Sequence, residues 1–310
     1  MPATLRVGLA LLPNRSWAEA QREWAKLEAA GFDHGWTYDH ISWDGIAGGP
    51  WFSAVPTLAA AAGVTDAVEL GALVFTPNLH HPVALAQELV TVADISGGRL
   101  VAGVGAGGTG TDARMLGQPA LTPPERVARL SEFLAVLERL LVYGRAEHRG
   151  AYFHAVEARC SPTRADGVPV PTAVAGNGPR TIELAVRYGD AWVTDGRLAP
   201  TARTDDSQAF RDGIAGLAAQ VAQACQRAAR PENTLRRIFL VGAGPEAPLS
   251  RPGALVETCA AYAAMGFTDV VVHAPRAGSP FAAPHGALER AVADELQEAR
   301  ALEVAAHPGG

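Results

Sequence analysis

Lysine is nearly missing from this chain. Lys26 is the only one in 310 residues, and arginine supplies the rest of the basic charge. Schiff-base aldolases and pyridoxal enzymes need a lysine at the reacting centre. Lys26 falls inside an Ala/Glu/Arg-rich helical segment and reads as a solvated surface residue, so those chemistries are excluded. Cysteine is scarce as well. Cys160, Cys225 and Cys259 lie far apart and give neither a disulfide framework nor a metal-ligand spacing. No apolar run reaches the roughly 18 residues of a membrane span. The run over residues 7–12, behind Arg6, is too short for a good signal peptide, and no small-residue cleavage site follows it. Positive charge is not in excess: 26 Lys and Arg against 32 Asp and Glu leave a net charge of −6. That argues against a phosphate-backbone binder. A G-x-S-x-G elbow, an H-E-x-x-H helix and a Walker A loop are also absent. The expectation is a reduced, cytoplasmic protein that acts on a small molecule and binds neither nucleic acid nor membrane, and no metal.

What is present is apolar and regular. Apolar residues make up 48% of the chain, enough for a large core. Strand candidates fall at 5–12, 34–38, 68–75, 100–104, 170–175, 191–194, 235–241 and 269–273. They are short and almost continuously apolar, as strands covered on both faces are. Helical segments lie between them. Ser16-Trp17-Ala18-Glu19 has the form of a capping box, and Gly31 sits where that helix needs a left-handed end. The same punctuation recurs before Asp269 (Gly266) and before Ala191 (Gly189). Eight β–α units with right-handed crossovers most simply close into a (β/α)8 TIM barrel, an α/β fold, with residues 1–310 as a single domain. The alternative is an open, doubly wound sheet. The stretches 105–124 and 143–169 are long enough to be insertions, and 109–122 does not read as a helix.

Active sites of such barrels lie at the C-terminal ends of the strands. The second strand ends in Tyr38-Asp39-His40, with Trp43 following, and the third in Thr76-Pro77-Asn78 before His80-His81-Pro82. The fourth carries a G-x-G-x-x-G match at Gly103, Gly105 and Gly108, and the fifth ends in Ala175-Gly176-Asn177-Gly178-Pro179-Arg180. Asp39-His40 is the best proton-handling candidate, since histidine titrates near neutrality and a carboxylate can orient it. The competing reading is a strand-end Asp capping a turn beside a packed His. Residues 176–180 combine glycines, a proline suited to a first helical turn and an arginine, which together suit a phosphate; an ordinary strand-to-helix turn is the other reading. The fourth-strand glycines sit in the wrong place for a Rossmann fingerprint, and close approach of backbone to a flat ring explains them equally well. His81-Pro82 reads as a helix start rather than a metal site. Arg197 and Arg203 are candidate contacts for an acidic group, with solvated loop residues as the alternative.

Taken in order, these segments resemble the bacterial luciferase-like flavin oxidoreductase superfamily. The resemblance runs over about residues 5–275. It is carried by Trp36-Thr37-Tyr38-Asp39-His40, Leu70-Gly71-Ala72-Leu73-Val74-Phe75-Thr76-Pro77, Ser96-Gly97-Gly98-Arg99, Gly103-Val104-Gly105, Ala175-Gly176-Asn177-Gly178-Pro179 and Gly266-Phe267-Thr268-Asp269-Val270. The resemblance implies a barrel with insertions that binds FMN or the deazaflavin coenzyme F420, and the Tyr-Asp-His ending looks more like the F420 branch. It implies Asp39 and His40 beside the reactive ring, with His40, oriented by Asp39, moving a substrate proton. It also implies a non-proline cis peptide at Leu73–Val74 in a bulge behind the ring. Cofactor contacts would come from Leu73, Val74, Thr76, Gly105, Gly107 and residues Ala175, Gly176, Asn177, Gly178, Pro179 and Arg180, with Trp43 walling the substrate pocket. The sugar-phosphate dehydrogenases of that branch carry a glutamate just after the Gly-x-Gly of strand four. Here Gly107-Gly108 stand there, so a sugar-phosphate substrate is not expected. The leading expectation is an F420-dependent oxidoreductase passing hydride between the ring carbon C5 and a small organic substrate. The alternative is an FMNH2-dependent, O2-using monooxygenase served by a flavin reductase. A flavin-binding protein without turnover is a third reading. The family is often dimeric, so a homodimer is a further expectation.

Overall fold

The computed structural model describes residues 3–43, 46, 49–108, 111–160, 167–196, 206–242 and 244–305. Arg197 and Arg203 lie outside the described residues. Among the described residues ten strands run in order: β1 (Arg6–Ala10), β2 (His34–Thr37), β3 (Glu69–Ala72), β4 (Leu100–Val104), β5 (Arg145–Arg149), β6 (His154–Arg159), β7 (Thr172–Ala175), β8 (Ala191–Thr194), β9 (Arg236–Leu240) and β10 (Asp269–His273). Eight of them close a parallel barrel in the order β1-β10-β9-β8-β7-β4-β3-β2. The eight strands expected from the sequence are these eight. The open doubly wound alternative is excluded, because β10 pairs with β1 from Arg6↔Asp269 to Ala10↔His273. The remaining two strands, β5 and β6, form an antiparallel hairpin inside the expected 143–169 insertion.

The described helices are α1 (Trp17–Ala29), α2 (Ala54–Ala62), α3 (Pro82–Ile95), α4 (Thr111–Met115), α5 (Pro123–Tyr143), α6 (Pro179–Tyr188), α7 (Ser207–Arg227), α8 (Ala254–Ala264), α9 (Ala287–Asp294) and α10 (Leu296–Arg300). The capping box at the start of α1 is formed, with the Ser16 hydroxyl donating to Glu19 Oε2 at 2.9 Å. Gly31 and Gly266 take left-handed φ values of 89° and 81°, but Gly189, read as the same punctuation, has φ −93°. A Cβ at 189 would stand 2.7 Å from the Ala191 carbonyl oxygen, so that glycine answers crowding rather than handedness. Residues 111–115 are helical, which corrects the reading of 109–122 as non-helical. The helix is a single turn, too short to leave a periodic signal.

Two apolar layers account for the barrel. One fills its interior: Trp36, Leu73, Val101, Ala173, Val193, Ile238 and Val271 meet there. The other lies between strands and helices and includes Trp24, Leu58, Leu89, Phe133, Leu137 and Val221. Trp36 is fully buried inside, and Gly71 makes room for it, since a Cβ there would stand 2.3 Å from the indole. Losing a buried aromatic of this kind costs roughly 3–5 kcal/mol. The hairpin sits against α5, where Glu132 accepts the backbone N–H groups of Ala151, Tyr152 and Phe153 at 2.9–3.1 Å.

Candidate active site at the barrel mouth

Because the eight barrel strands are parallel, their C-terminal ends open on one face. β2 leaves the barrel there through Tyr38, Asp39 and His40. Successive residues of an extended chain point to opposite sides. The structure accordingly separates Asp39 from His40, correcting the expectation that the first orients the second. Asp39, buried, turns to His80 in the loop after β3, with Oδ2 2.7 Å from His80 Nε2. His40 turns the other way and places Nδ1 2.6 Å from Oδ2 of Asp112 on α4. The other Asp112 oxygen accepts the backbone N–H of Ile41 at 2.8 Å and of Ser42 at 3.5 Å. Burial works against the Asp112 charge. Bonds from the His40 ring and from the Ile41 and Ser42 amides outweigh burial and hold its carboxyl below the usual range. His40 keeps 31% of its side chain exposed.

Aromatic rings gather beside it. Trp43 lies parallel to Phe281, with centroids 5.8 Å apart, and approaches Trp51 at 5.9 Å. Trp51 in turn lies 6.1 Å from the His40 ring. Trp43, Ile46, Trp51, Val74, Ala175 and Phe281 are partly buried and pack onto the barrel interior from this end. Tyr38 bonds His273 at 2.8 Å through its hydroxyl, and His273 stacks on Phe281 at 3.5 Å. Burial pushes the His273 pKa down to about 3, so that imidazole is neutral at ordinary pH.

The third strand breaks as the resemblance implies. The ladder stops at Ala72, the Leu73–Val74 peptide is cis, and Phe75 rejoins the sheet by a bridge to Val104. Both flanks are pinned: Leu73 N–H donates to the Thr37 carbonyl, Phe75 N–H to that of Gly103, and Gly105 N–H to that of Phe75, all at 2.8–2.9 Å. Gly105 faces the excursion closely, since a Cβ there would stand 2.6 Å from Val74 Cγ2. Gly107 has φ +72°, a left-handed value that favours glycine, and lies against Asn78. The Asn78 side chain donates to the Gly108 carbonyl and accepts from Arg129. Thr76 is buried, and its hydroxyl accepts the Asn78 N–H at 3.3 Å.

β7 runs through Ala175 and Gly176 to the start of α6. Gly178 is the N-cap and supplies no side-chain cap, and Pro179 opens the helix. The N–H groups of a first turn have no acceptor within the helix. The Gly178 N–H is taken by the Thr181 hydroxyl at 3.1 Å. Arg180 is exposed, with no side-chain partner among the described residues. Asn177 is held side-on by Thr194, at 2.6 Å, and by Asp195, at 3.2 Å. Gly176 admits the Thr181 side chain, which an added Cβ would meet at 2.2 Å.

The sequence singled out His40, Asp39, Trp43, Val74, Gly105 and residues 175–180, and all lie at this end of the barrel. It missed Asp112, Phe281 and the Asp39–His80 pairing. Those partners are 72, 238 and 41 positions from the residues they meet, and no local pattern marks them. His81, set aside as a helix start, caps α3 by accepting the Val83 N–H at 3.3 Å.

A sequence-family profile described as Luciferase-like monooxygenase matches residues 3–306. An F420-dependent glucose-6-phosphate dehydrogenase of Beutenbergia cavernae is 39% identical over 167 residues, 54% of this chain and 49% of that one. An F420-dependent hydroxymycolic acid dehydrogenase of Mycobacterium tuberculosis is 32% identical over 211 residues, 63% of this chain and 54% of that one. The chain spans about half the length of the curated relatives it matches. Among solved structures, an F420-dependent secondary alcohol dehydrogenase in complex with an F420–acetone adduct superposes with a TM-score of 0.74. It is 16% identical and covers 94% of this chain and 98% of that one, a likeness of fold.

Proposed function

The chain belongs to the luciferase-like monooxygenase family, and from that premise we propose an oxidoreductase that passes hydride between coenzyme F420 and a small, largely apolar alcohol or carbonyl compound. The observation that carries the reading is one juxtaposition: a partly exposed imidazole backed by a carboxylate, at the edge of an apolar mouth. The residues present fit a flat ring with a phosphate tail. Leu73, Val74 and Ala175 offer an apolar floor. The uncapped start of α6, with Arg180 beside it, offers N–H groups and charge for a phosphate. Gly105 and Gly107 keep the β4 end low, and Thr76 and Asn177 hold the turns on either side. When bound, F420 takes or gives the hydride at ring carbon C5 as alcohol and carbonyl interconvert, leaving the hydroxyl proton for the protein to handle.

His40 is the group for that proton. Its Nε2 has no hydrogen-bond partner among the described residues, and its Nδ1 is occupied by Asp112. Asp39, with its carboxylate on His80, shapes the turn from which His40 projects. Trp43, Trp51 and Phe281 form an uncharged wall, which supports an apolar substrate over a sugar phosphate. Gly107-Gly108, standing where the sugar-phosphate branch carries a glutamate, support the same choice. The reading takes the chain as one barrel domain working in the cytoplasm, and as a homodimer, which its molar mass in solution tests.

The test is a set of parallel titrations of purified protein with F420 and FMN, oxidised and reduced. Turnover is then measured on a panel of secondary alcohols and on glucose 6-phosphate. Micromolar or tighter F420 binding with turnover of alcohols is the expected result. Binding of reduced FMN instead, with oxygen uptake when a flavin reductase is added, would replace this reading by the monooxygenase one. Binding of neither would remove the phosphate site at α6.

A further inference from the structure

We infer that Asp112 is the positioning residue of this site: it fixes the proton of His40 on Nδ1 and so delivers a bare Nε2 to the substrate. The inference rests on the reading of His40 as the proton-handling group. Its physical basis is a count of atoms. An ionised carboxylate only accepts hydrogen bonds, so the 2.6 Å contact requires Nδ1 to carry the hydrogen. The second carboxylate oxygen is engaged by the Ile41 and Ser42 amides. Both oxygens of Asp112 therefore serve the loop that carries His40, and neither is left to act on a substrate directly. Asp112 itself is buried.

Among the described residues, no neighbouring acid duplicates the role. Asp39 is next in sequence, but its Oδ2 lies 2.7 Å from His80 Nε2. Glu88, the other carboxylate near that pair, faces His80 at 3.9 Å. The place just after the fourth-strand glycines, Gly107-Gly108, holds no carboxylate. The acidic support of this mouth thus comes from behind the imidazole. It rides on α4, a single helical turn set between β4 and α5. Holding an imidazole in the right tautomer is worth orders of magnitude where it has been measured in other enzymes.

The experiment uses the full chain labelled with ¹⁵N-histidine, without cofactor, in which the His40 signals are assigned by their loss in His40→Gln. Long-range ¹H–¹⁵N spectra of the wild type at neutral pH are expected to show His40 protonated on Nδ1. Two variants separate tautomer control from loop anchoring. In Asp112→Ala both are lost. In Asp112→Asn the amide oxygen keeps the Ile41 bond while the amide N–H donates to Nδ1, which drives the proton to Nε2. Both variants are expected to show the Nε2–H form. Turnover of the best alcohol of the panel is expected to fall at least 30-fold in Asp112→Asn, with F420 affinity within twofold of the wild type. Full activity in Asp112→Asn beside lost activity in Asp112→Ala would reduce Asp112 to a loop anchor and overturn the inference. A His40 signal unchanged in both variants would overturn it too. If the tautomer shifts as expected but the wild type neither binds nor uses F420, the function reading fails and the positioning role of Asp112 stands.

Discussion

His34, the first residue of β2, and His40, three residues beyond its last, each lie beside an aspartate, at opposite ends of the barrel. At the base, His34 Nε2 is 3.1 Å from Asp269, and neither side chain is exposed. The His34 Nδ1 accepts the Trp36 indole N–H at 2.7 Å. Asp269 also receives Arg236 at 2.6 Å and the Thr268 hydroxyl at 2.6 Å. Arg236 and Arg6 both reach Glu69 as well. Burial opposes the charge on Asp269, but His34 and Arg236 outweigh it and hold its carboxyl far below the ordinary range. At the mouth, the His40–Asp112 pair is shorter, 31% and 10% exposed by side chain, and ends on an Nε2 with no partner among the described residues. The same two residue types thus make a closed joint at one end and an open one at the other. Enclosure separates the roles, in keeping with the division of barrels into a stabilising base and a reactive top.

That contrast can be broken from either side. The largest effect is expected at the base. Asp269→Ala removes the buried carboxylate that His34 and the half-buried Arg236 share, leaving Arg236 only Glu69, and breaking such a buried pair costs about 3–5 kcal/mol. The urea midpoint should fall accordingly, while the fraction that stays folded keeps its affinity for F420. At the mouth, His40→Ala should lower kcat by about 100-fold, in the range of a lost general acid or base. Its urea midpoint should fall much less than that of Asp269→Ala, since Asp112 keeps the Ile41 and Ser42 amides, and an equal fall would make His40 another structural joint. The smallest effect is on pH dependence. The folded-state pKa of Asp269 is depressed, so its contribution is complete above the unfolded carboxylate value of about 3.9 and is lost as pH falls below it. Between pH 5 and pH 3 this group alone should account for about 1 kcal/mol. Urea midpoints of wild type and Asp269→Asn across that range should converge on acidification; parallel curves would place the acid sensitivity elsewhere.

The barrel was legible in the sequence because its strands are apolar on both faces and its helices carry caps readable within a few residues. Ser16 with Glu19 and His81 with Pro82 are local signals, and the structure forms both. The mouth was legible as a place, since strand ends can be located without knowing what they touch. Its wiring was not. Asp39 and His40 are adjacent in sequence, but an extended backbone sends them apart, and each finds a partner that only the closed barrel brings near. The joint at the base hid for the same reason: Glu69, Arg236 and Asp269 belong to three strands that only the closed barrel brings together.

The pinned excursion of the third strand has a consequence for how this mouth diversifies. Phe75 returns to the sheet, so the partly buried side chain at 74 can be exchanged without resetting the ladder below it. Val74 nevertheless meets position 105 across a gap that excludes even a methyl group. A bulkier floor and a side chain at 105 are mutually exclusive, and natural variation at these two sites should run in compensating pairs. The barrel offers its descendants a floor they can retile, one matched couple at a time.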